Sequence, residues 1–249
     1  MWAALTLWML GYPDQALREK EEACTLAHEL AHPYSQAWAL VFGAWFDHFR
    51  REEQAIPELA EAILALSREQ GFAQLYSWGT MWQGWSLVVQ GQAKEGIAQL
   101  HQYLAAFVQQ NIQLLRPSVL GLLAEAYGRA GQAEDGLTIL DEALGLVHRT
   151  GERHGEADLY RLKGELLLAL PAAHQPEAEA CFRQAIAIAR GQSAKSWELR
   201  AVLSLSRLYR QQGKMEEARP MLAEIYGWFT EGFETADLQE AKALLEVIS

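Results

Sequence analysis

The sequence has few of the features that mark extracellular or nucleic-acid-binding proteins. It contains two cysteines, Cys24 and Cys181, which lie too far apart to suggest a disulfide framework. Lys and Arg number 21 against 32 Asp and Glu, so the net charge is −11. Because nucleic acids and anionic membranes attract a basic face, we expect this acidic chain to bind neither. The cysteine usage indicates a reducing compartment and therefore a cytoplasmic protein.

Long apolar runs and most catalytic signatures are also missing. The most apolar stretches, residues 36–46 and 81–89, are short and interrupted by Gln or Gly, so no membrane span is expected. The sequence has no phosphate-binding Gly-rich loop, dinucleotide fingerprint, nucleophile elbow or zinc-finger cysteine pair. We therefore expect no enzymatic activity and no cofactor.

What the sequence does contain is an internal repeat. The triplet Gly-Gln-Ala occurs at residues 91–93 and again at 131–133, a spacing of 40. Further steps of 40 reach Gly11, Arg51 and Pro171, and Gly213 follows at a spacing of 42. Each position separates two segments whose apolar residues recur every three or four residues, which is the helical period. The pattern predicts an all-α fold of six helical hairpins and a final helix.

The period also predicts where each hairpin begins and ends. We expect a single domain over residues 1–249, a right-handed α-solenoid with hairpins at about 1–32, 35–71, 74–111, 113–151, 154–192 and 195–233. A capping helix follows at 236–248, where four apolar residues share one face. Those residues are Leu238, Ala241, Leu244 and Leu245.

Small residues stand seven positions before each turn, where the two helices of a hairpin must approach closely. They are Ala4, Ala44, Gly84, Ala124, Gly164 and Ser206. In repeat 4, Tyr127 follows three residues later, then Gly131, then Gly136 five residues on. This order resembles the tetratricopeptide-repeat family, whose usual repeat is shorter, at about 34 residues. Repeat 2 departs from the pattern with Arg51 at the glycine position, and repeat 5 departs with an insertion at residues 172–175.

A second resemblance covers the C-terminal part of the chain. The strings EADLYRLKGELLL (156–168), EAEACFRQAIAIAR (177–190), SWELRAVLSLSRLYRQQGK (196–214) and WFTEGFETADLQEAKALL (228–245) resemble the helical-repeat tails of bacterial signalling proteins. Those proteins join such a tail to a signal-transducing ATPase module and often to a nucleotide cyclase. The resemblance implies that this chain is such a tail, with ATPase or cyclase domains upstream in a longer parent protein, or that it is a free-standing relative of such a tail.

One motif matches a catalytic pattern literally. His28-Glu29-Leu30-Ala31-His32 reads H-E-x-x-H, which in zinc peptidases places two imidazoles on one helix face. Pro33 follows at once, where the helix is expected to end. A frayed helix end holds a metal poorly, so we favour two exposed histidines over a zinc site and keep His28 and His32 as remote candidates for metal ligands.

Aromatic and basic residues divide between the two halves of the predicted concave surface. Counting back from each turn, the positions that face this surface are Trp8, Trp38, Val41, Trp45, Phe49, Trp78, Met81, Trp85, Arg129, Arg161, Arg200, Arg207 and Arg210. The tryptophans form the apolar floor of a binding groove, fill the interior of a tight superhelix, or make a patch that upstream repeats of a longer chain would cover. The arginines either capture an acidic group of a partner or pair with neighbouring carboxylates such as Asp158 and Glu165.

The sequence therefore favours a protein-interaction scaffold that binds a protein or peptide partner in this groove. A sensor of a small ligand or peptide, with the tryptophans as its pocket, is the alternative.

Overall fold

The computed structural model describes residues 1–109 and 115–247, and these residues form helices and turns but no strand. Thirteen α-helices lie in this part of the chain: α1 (Trp2–Leu10), α2 (Pro13–Glu29), α3 (Pro33–Arg50), α4 (Ile56–Gln70), α5 (Ala73–Val89), α6 (Ala93–Gln109), α7 (Arg116–Arg129), α8 (Ala133–Thr150), α9 (Glu156–Leu168), α10 (Gln175–Gly191), α11 (Lys195–Gln211), α12 (Met215–Trp228) and α13 (Ala236–Val247). Short 3-10 turns at Glu53–Ala55 and Ala172–His174 precede α4 and α10. The all-α prediction, with six hairpins and a final helix, is confirmed.

The turns inside the hairpins fall at the positions that the period predicted. Gly11, Gly91, Gly131 and Gly213 have φ between 73° and 95°, the left-handed region in which a residue without Cβ carries no steric cost. Arg51 adopts φ 63° at the same place and ends α3, so the turn forms even where glycine is missing. The 3-10 turn at Ala172–His174 occupies the insertion in repeat 5.

The small residues before each turn lie where helices meet. All six are buried. A Cβ added to Gly84 in α5 would lie 3.2 Å from the carbonyl oxygen of Gly96 in α6. A Cβ added to Gly164 in α9 would lie 2.5 Å from Cε1 of Phe182 in α10. The predicted close approach within the hairpins is therefore confirmed.

The chain divides into two compact units. The N-terminal unit comprises Met1–Leu7 and Asp14–Leu114, and the C-terminal unit comprises Trp8–Pro13 and Leu115–Ser249. Within the N-terminal unit α3 packs on α4, α4 on α5 and α5 on α6, and in the C-terminal unit α7 to α13 pack in chain order. The single domain over 1–249 remains a prediction, and its predicted repeat boundaries at 111, 113 and 248 lie outside the described residues.

The last helix covers the end of the C-terminal unit. Leu238, Ala241 and Leu244 of α13 are buried in the core that α9 to α12 form, and Leu245 packs against the same core while partly buried. The apolar face predicted for this helix is confirmed. Among residues 1–109 and 115–247, no helix is long and apolar enough to span a membrane.

Candidate partner-binding site

The aromatic half of the predicted groove is packed inside the N-terminal unit. The side chains of Trp45, Trp78 and Trp85 are at most 3% exposed. Trp45 meets the edge of Trp82 with ring centroids 4.9 Å apart, and Trp85 meets His48 at 5.0 Å. The neighbouring groove residues Val41, Phe49 and Met81 are also buried. For these side chains the structure favours the interior alternative over an open groove floor.

Trp38 differs from the other tryptophans because it belongs to a partly exposed aromatic ridge on α3. It is half-buried and stacks on Phe42, with ring centroids 5.3 Å apart. Trp2 contacts Phe42 at 4.6 Å and is 51% exposed, while Tyr34, one turn before Trp38, is 42% exposed. The sequence analysis did not select Trp2 or Tyr34, although the spacing of Tyr34, Trp38 and Phe42 by four residues signals a shared helix face.

Trp8 and Arg200 lie together in the C-terminal unit. The Trp8 side chain is 2% exposed, and the guanidinium carbon of Arg200 lies 4.9 Å from the centroid of its ring. Arg200 Nε donates a hydrogen bond to Asp237 Oδ2 at 2.8 Å. Arg200 is thus buried between an aromatic ring and a carboxylate rather than presented at the surface.

Three further arginines predicted for the groove, Arg129, Arg161 and Arg207, lie in a row of ion pairs along the C-terminal unit. We call this row the charged strip: Glu125, Arg129, Asp158, Arg161, Glu165, Arg207 and Glu240. Arg161 of α9 lies 2.6 Å from Asp158 and 2.9 Å from Glu165. Arg207 of α11 lies 3.8 Å from the same Glu165 and is also paired with Glu240 of α13. The strip therefore runs over α7, α9, α11 and α13.

The carboxylates of the strip control the ionisation of its central arginine. Burial alone would lower the pKa of the Arg161 guanidinium, but Asp158 and Glu165 outweigh burial and hold that pKa above its usual value. Arg161 thus pairs with the two carboxylates that the sequence suggested. Arg210, one turn beyond Arg207, is exposed, and its guanidinium has no hydrogen bond or ion pair within the part of the chain that the structure describes.

The two histidines of the H-E-x-x-H match do not share a helix. His28 lies in the last turn of α2, which ends at Glu29, whereas His32 is the N-cap of α3 and its Nδ1 accepts a hydrogen bond from the Ser35 amide. Across residues 1–109 and 115–247, no three His, Cys, Asp or Glu side chains lie close enough together to hold a metal ion. The geometry that a zinc peptidase requires at His28 and His32 is not formed.

Ser118 of α7 lies in a row with His154 and Glu152 of the loop between α8 and α9. Ser118 Oγ lies 3.1 Å from His154 Nε2, but His154 Nδ1 lies 3.9 Å from Glu152 Oε1, too far for a hydrogen bond. Glu152 Oε2 instead accepts from the backbone N–H of Leu115, just before α7. The row therefore pins this loop to the start of α7 and lacks the second bond that orients a catalytic histidine.

Comparisons with known proteins agree with this architecture. No model of a known protein family matches the chain. Two crystal structures of nearly identical TPR-like repeats, attributed to a kinesin light chain of Podosopora anserina, superpose with a TM-score of 0.52 each. They are 21% and 20% identical to this chain, cover 68% of it, and match over 83% and 91% of their own lengths. The fold is a TPR-like helical repeat.

A curated relative is bacterial and much longer than this chain. An uncharacterised protein of Rhizobium meliloti (strain 1021) is 23% identical over 205 residues, which cover 82% of this chain. The match spans 20% of the relative's length. This TPR-like chain is thus similar to about a fifth of a larger protein.

Proposed function

We propose that this chain is a non-catalytic protein-interaction scaffold, that it binds a protein partner along the charged strip and Arg210, and that it is the repeat part of a longer bacterial signalling protein. The TPR-like fold supports the scaffold role because stacked hairpins present an extended surface that single domains lack. The bacterial relative, of which the chain spans a fifth, supports a place within a longer protein.

The observation that carries the proposal is the exposure of the strip compared with the burial of the tryptophans. The side chains of Arg129 and Arg207 are each 36% exposed, and Arg210 is exposed as well. Trp45 and Trp85, which occupy the repeat position of Arg207 in the N-terminal unit, are only 3% and 0% exposed. Arginine forms planar two-pronged contacts with carboxylates and phosphates, so a partner with acidic groups fits this surface.

A quantitative capture experiment tests the proposal. The wild-type chain and an Arg207→Glu, Arg210→Glu variant are immobilised, and proteins retained from a lysate of the source bacterium are compared by mass spectrometry. A matched control, Arg219→Glu, changes an exposed arginine of α12 that lies outside the strip. We expect a partner that both the wild type and the control retain and that the double variant loses at least about tenfold, because like charges across an interface cost several kcal/mol.

The retained protein is then purified and its affinity for the three chains is measured at two salt concentrations. A steeper salt dependence for the wild type than for the double variant supports the strip as the binding surface. Equal affinity for all three chains, with unchanged melting temperatures, would remove the strip from the proposal.

A second candidate function is suggested by two indole N–H groups of the N-terminal unit. Trp45 Nε1 and Trp82 Nε1 are both buried and have no hydrogen-bond acceptor among the described residues. A buried donor without an acceptor is unusual, and a small ligand with acceptor atoms is one way to satisfy it. Quenching of tryptophan emission by small polar metabolites, absent in Trp45→Phe and Trp82→Phe chains, would favour this sensor over the scaffold.

A further inference from the structure

The segment Trp8–Pro13 is seated on the C-terminal unit like a bound peptide. It belongs to that unit by its contacts, although it is far from the rest of the unit in the sequence. The surface beneath it is formed by the first turns of α11, the end of α12 and the loop that follows α12. Four of its six residues, Trp8, Gly11, Tyr12 and Pro13, make contacts that depend on the residue type.

The first contact is an aromatic box around Trp8. Its ring meets Trp197 edge to face with centroids 4.7 Å apart, and the Arg200 guanidinium carbon lies 4.9 Å from Trp8 and 5.3 Å from Trp197. Ser196 Oγ donates a hydrogen bond to the Trp8 carbonyl oxygen. Asp237 accepts from Arg200 and so fixes the guanidinium in place. Tryptophan and arginine are the residues that contribute most where proteins bind each other.

The second contact requires glycine in the seated segment. Gly11 has φ 95°, and a Cβ at this position would lie 2.6 Å from Cζ3 of Trp228 and 2.7 Å from Cβ of Lys195. Both distances are shorter than a Cβ tolerates, so a residue with a side chain at this position requires the segment or the Trp228 ring to shift. The surface therefore selects a glycine three residues after the tryptophan.

The third contact seats an aromatic residue and a proline. Tyr12 packs on Trp228 with ring centroids 5.6 Å apart. Pro13 lies against Gly232, where an added Cβ would lie 2.0 Å from the Pro13 Cγ. Trp228 remains 37% exposed, so the rim of the surface is accessible to solvent. Gly11 of the segment thus faces Trp228 and Lys195 of the surface, and Gly232 of the surface faces Pro13 of the segment.

We propose that this surface is a peptide-recognition site, that Trp8–Pro13 is its intramolecular ligand, and that a partner segment of the pattern Trp-x-x-Gly-aromatic-Pro replaces it. Ser196, Trp197, Arg200, Trp228 and Gly232 form the site. The inference rests on the proposed scaffold function, because it names the kind of peptide that the scaffold binds. It does not use the charged strip, so a defined peptide tests it separately.

The test measures binding of a fluorescein-labelled peptide with the sequence of residues 5–14, LTLWMLGYPD, to the full chain by fluorescence anisotropy. In the wild type the chain's own segment competes with the peptide for the site. The apparent affinity for the peptide is therefore the affinity of the open site multiplied by the fraction of sites that are open. Gly11→Ala in the chain introduces the clash with Trp228 and Lys195 while leaving the site intact. We expect this variant to bind the peptide at least about tenfold more tightly than the wild type.

Two matched variants make the result specific. Gly91→Ala has the same left-handed backbone, but no atom lies within 4 Å of its added Cβ, so it is expected to bind like the wild type. Gly232→Ala, combined with Gly11→Ala, blocks the seat of the peptide's proline and is expected to abolish the gain. Peptides with Trp8→Ala or Pro13→Ala should bind at least tenfold more weakly to the Gly11→Ala chain, a factor typical of losing one anchor residue.

The proposal is overturned if the Gly11→Ala chain, folded by circular dichroism, binds the peptide no more tightly than the Gly91→Ala chain, or if a scrambled peptide binds equally well. If the Gly11→Ala chain does not fold, a second measurement on the wild-type chain tests the proposal. A peptide with a photoreactive group in place of Tyr12 is expected to crosslink to residues 228–232 of the wild-type chain at high peptide excess. Crosslinks only at other sites would contradict the proposal.

Discussion

The two units place different chemistry at the same repeat position. Six residues before the turn, the N-terminal unit has Trp45 and Trp85, both buried, whereas the C-terminal unit has Glu125, Glu165 and Arg207, all partly exposed and ion-paired. The turns and the small residues keep the same spacing in both units. The comparison shows that spacing specifies the hairpin, while the residues on its remaining face decide whether that face becomes core or surface.

The difference also changes what holds each unit together. A buried tryptophan removes a large apolar area from water and contributes several kcal/mol to folding. A partly exposed ion pair contributes about 0–1 kcal/mol because water screens it and two flexible side chains must be ordered. We therefore expect substitutions at equivalent positions to have unequal effects in the two units.

The largest effect is expected from Trp85→Ala in the N-terminal unit. Removing a fully buried indole leaves a cavity and should lower the free energy of unfolding by about 3–5 kcal/mol, as measured by urea denaturation. Trp2→Ala, which removes a half-exposed indole of the same unit, is the matched control and should cost much less. Equal losses for the two variants would mean that Trp85 is not part of the core.

The next effect concerns the hairpin contacts that both units share. Gly164→Leu forces a side chain into the 2.5 Å space against Phe182 and should destabilise the chain by about 1–3 kcal/mol or more. Gly227→Leu in α12 is the control, since no atom lies within 4 Å of an added Cβ there. If thermal melting shows the same change for both variants, the close approach of α9 and α10 does not limit the side chain at position 164.

A smaller effect should depend on pH and originate in the polar contacts of the C-terminal unit. Burial lowers the pKa of His154 below its usual value of 6.5. Just below pH 6.5 the unfolded chain therefore binds more protons than the folded chain. The contribution of neutral His154 to the free energy of unfolding is complete above that pH and is lost as the pH falls. The loss is at most about 1.4 kcal/mol per pH unit.

His154→Gln removes the titrating group, so the free energy of unfolding should depend less steeply on pH between about 5 and 6.5. His148→Gln, at an exposed position of α8, serves as the control. Urea denaturation at a series of pH values measures both slopes. If the free energy of unfolding of the His154→Gln chain changes with pH as steeply as that of the wild type, another group causes the pH dependence.

The smallest effect is expected at the charged strip. Arg129→Ala removes the ion pair with Glu125 at 2.9 Å, a contact four residues apart on one helix. Such pairs contribute a few tenths of a kcal/mol, and the effect should fall further at high salt. A loss above about 1 kcal/mol in urea denaturation would indicate that the strip stabilises the fold rather than serving as a surface.

Much of the fold could be predicted from the sequence because its determinants are local. Glycine at the left-handed turns and small residues at helix contacts are dictated by sterics within one hairpin, and they recur at a fixed spacing. The turn at Arg51 could be predicted without a glycine because the repeat period identified the position, and Arg51 adopts the left-handed backbone there.

The candidate site was less predictable because burial depends on more than one hairpin. Helical periodicity gives the face on which Trp45 and Trp85 lie, but whether that face is covered depends on packing between repeats. The pairing of Arg161 was accessible to the sequence, since its carboxylates lie three and four residues away. The contact of Trp8 with Trp197 joins residues far apart in the chain, and no local pattern signals it.

The central claim is that one repeat position is core in the N-terminal unit and surface in the C-terminal unit. Hydroxyl-radical footprinting with mass spectrometry tests it directly, because tryptophan oxidation reports solvent access at each residue. We expect little oxidation at Trp45 and Trp85 and strong oxidation at Trp2 and Trp228 of the folded chain. Oxidation of Trp45 and Trp85 to the level of Trp2 would show that the aromatic face is open and would contradict this account.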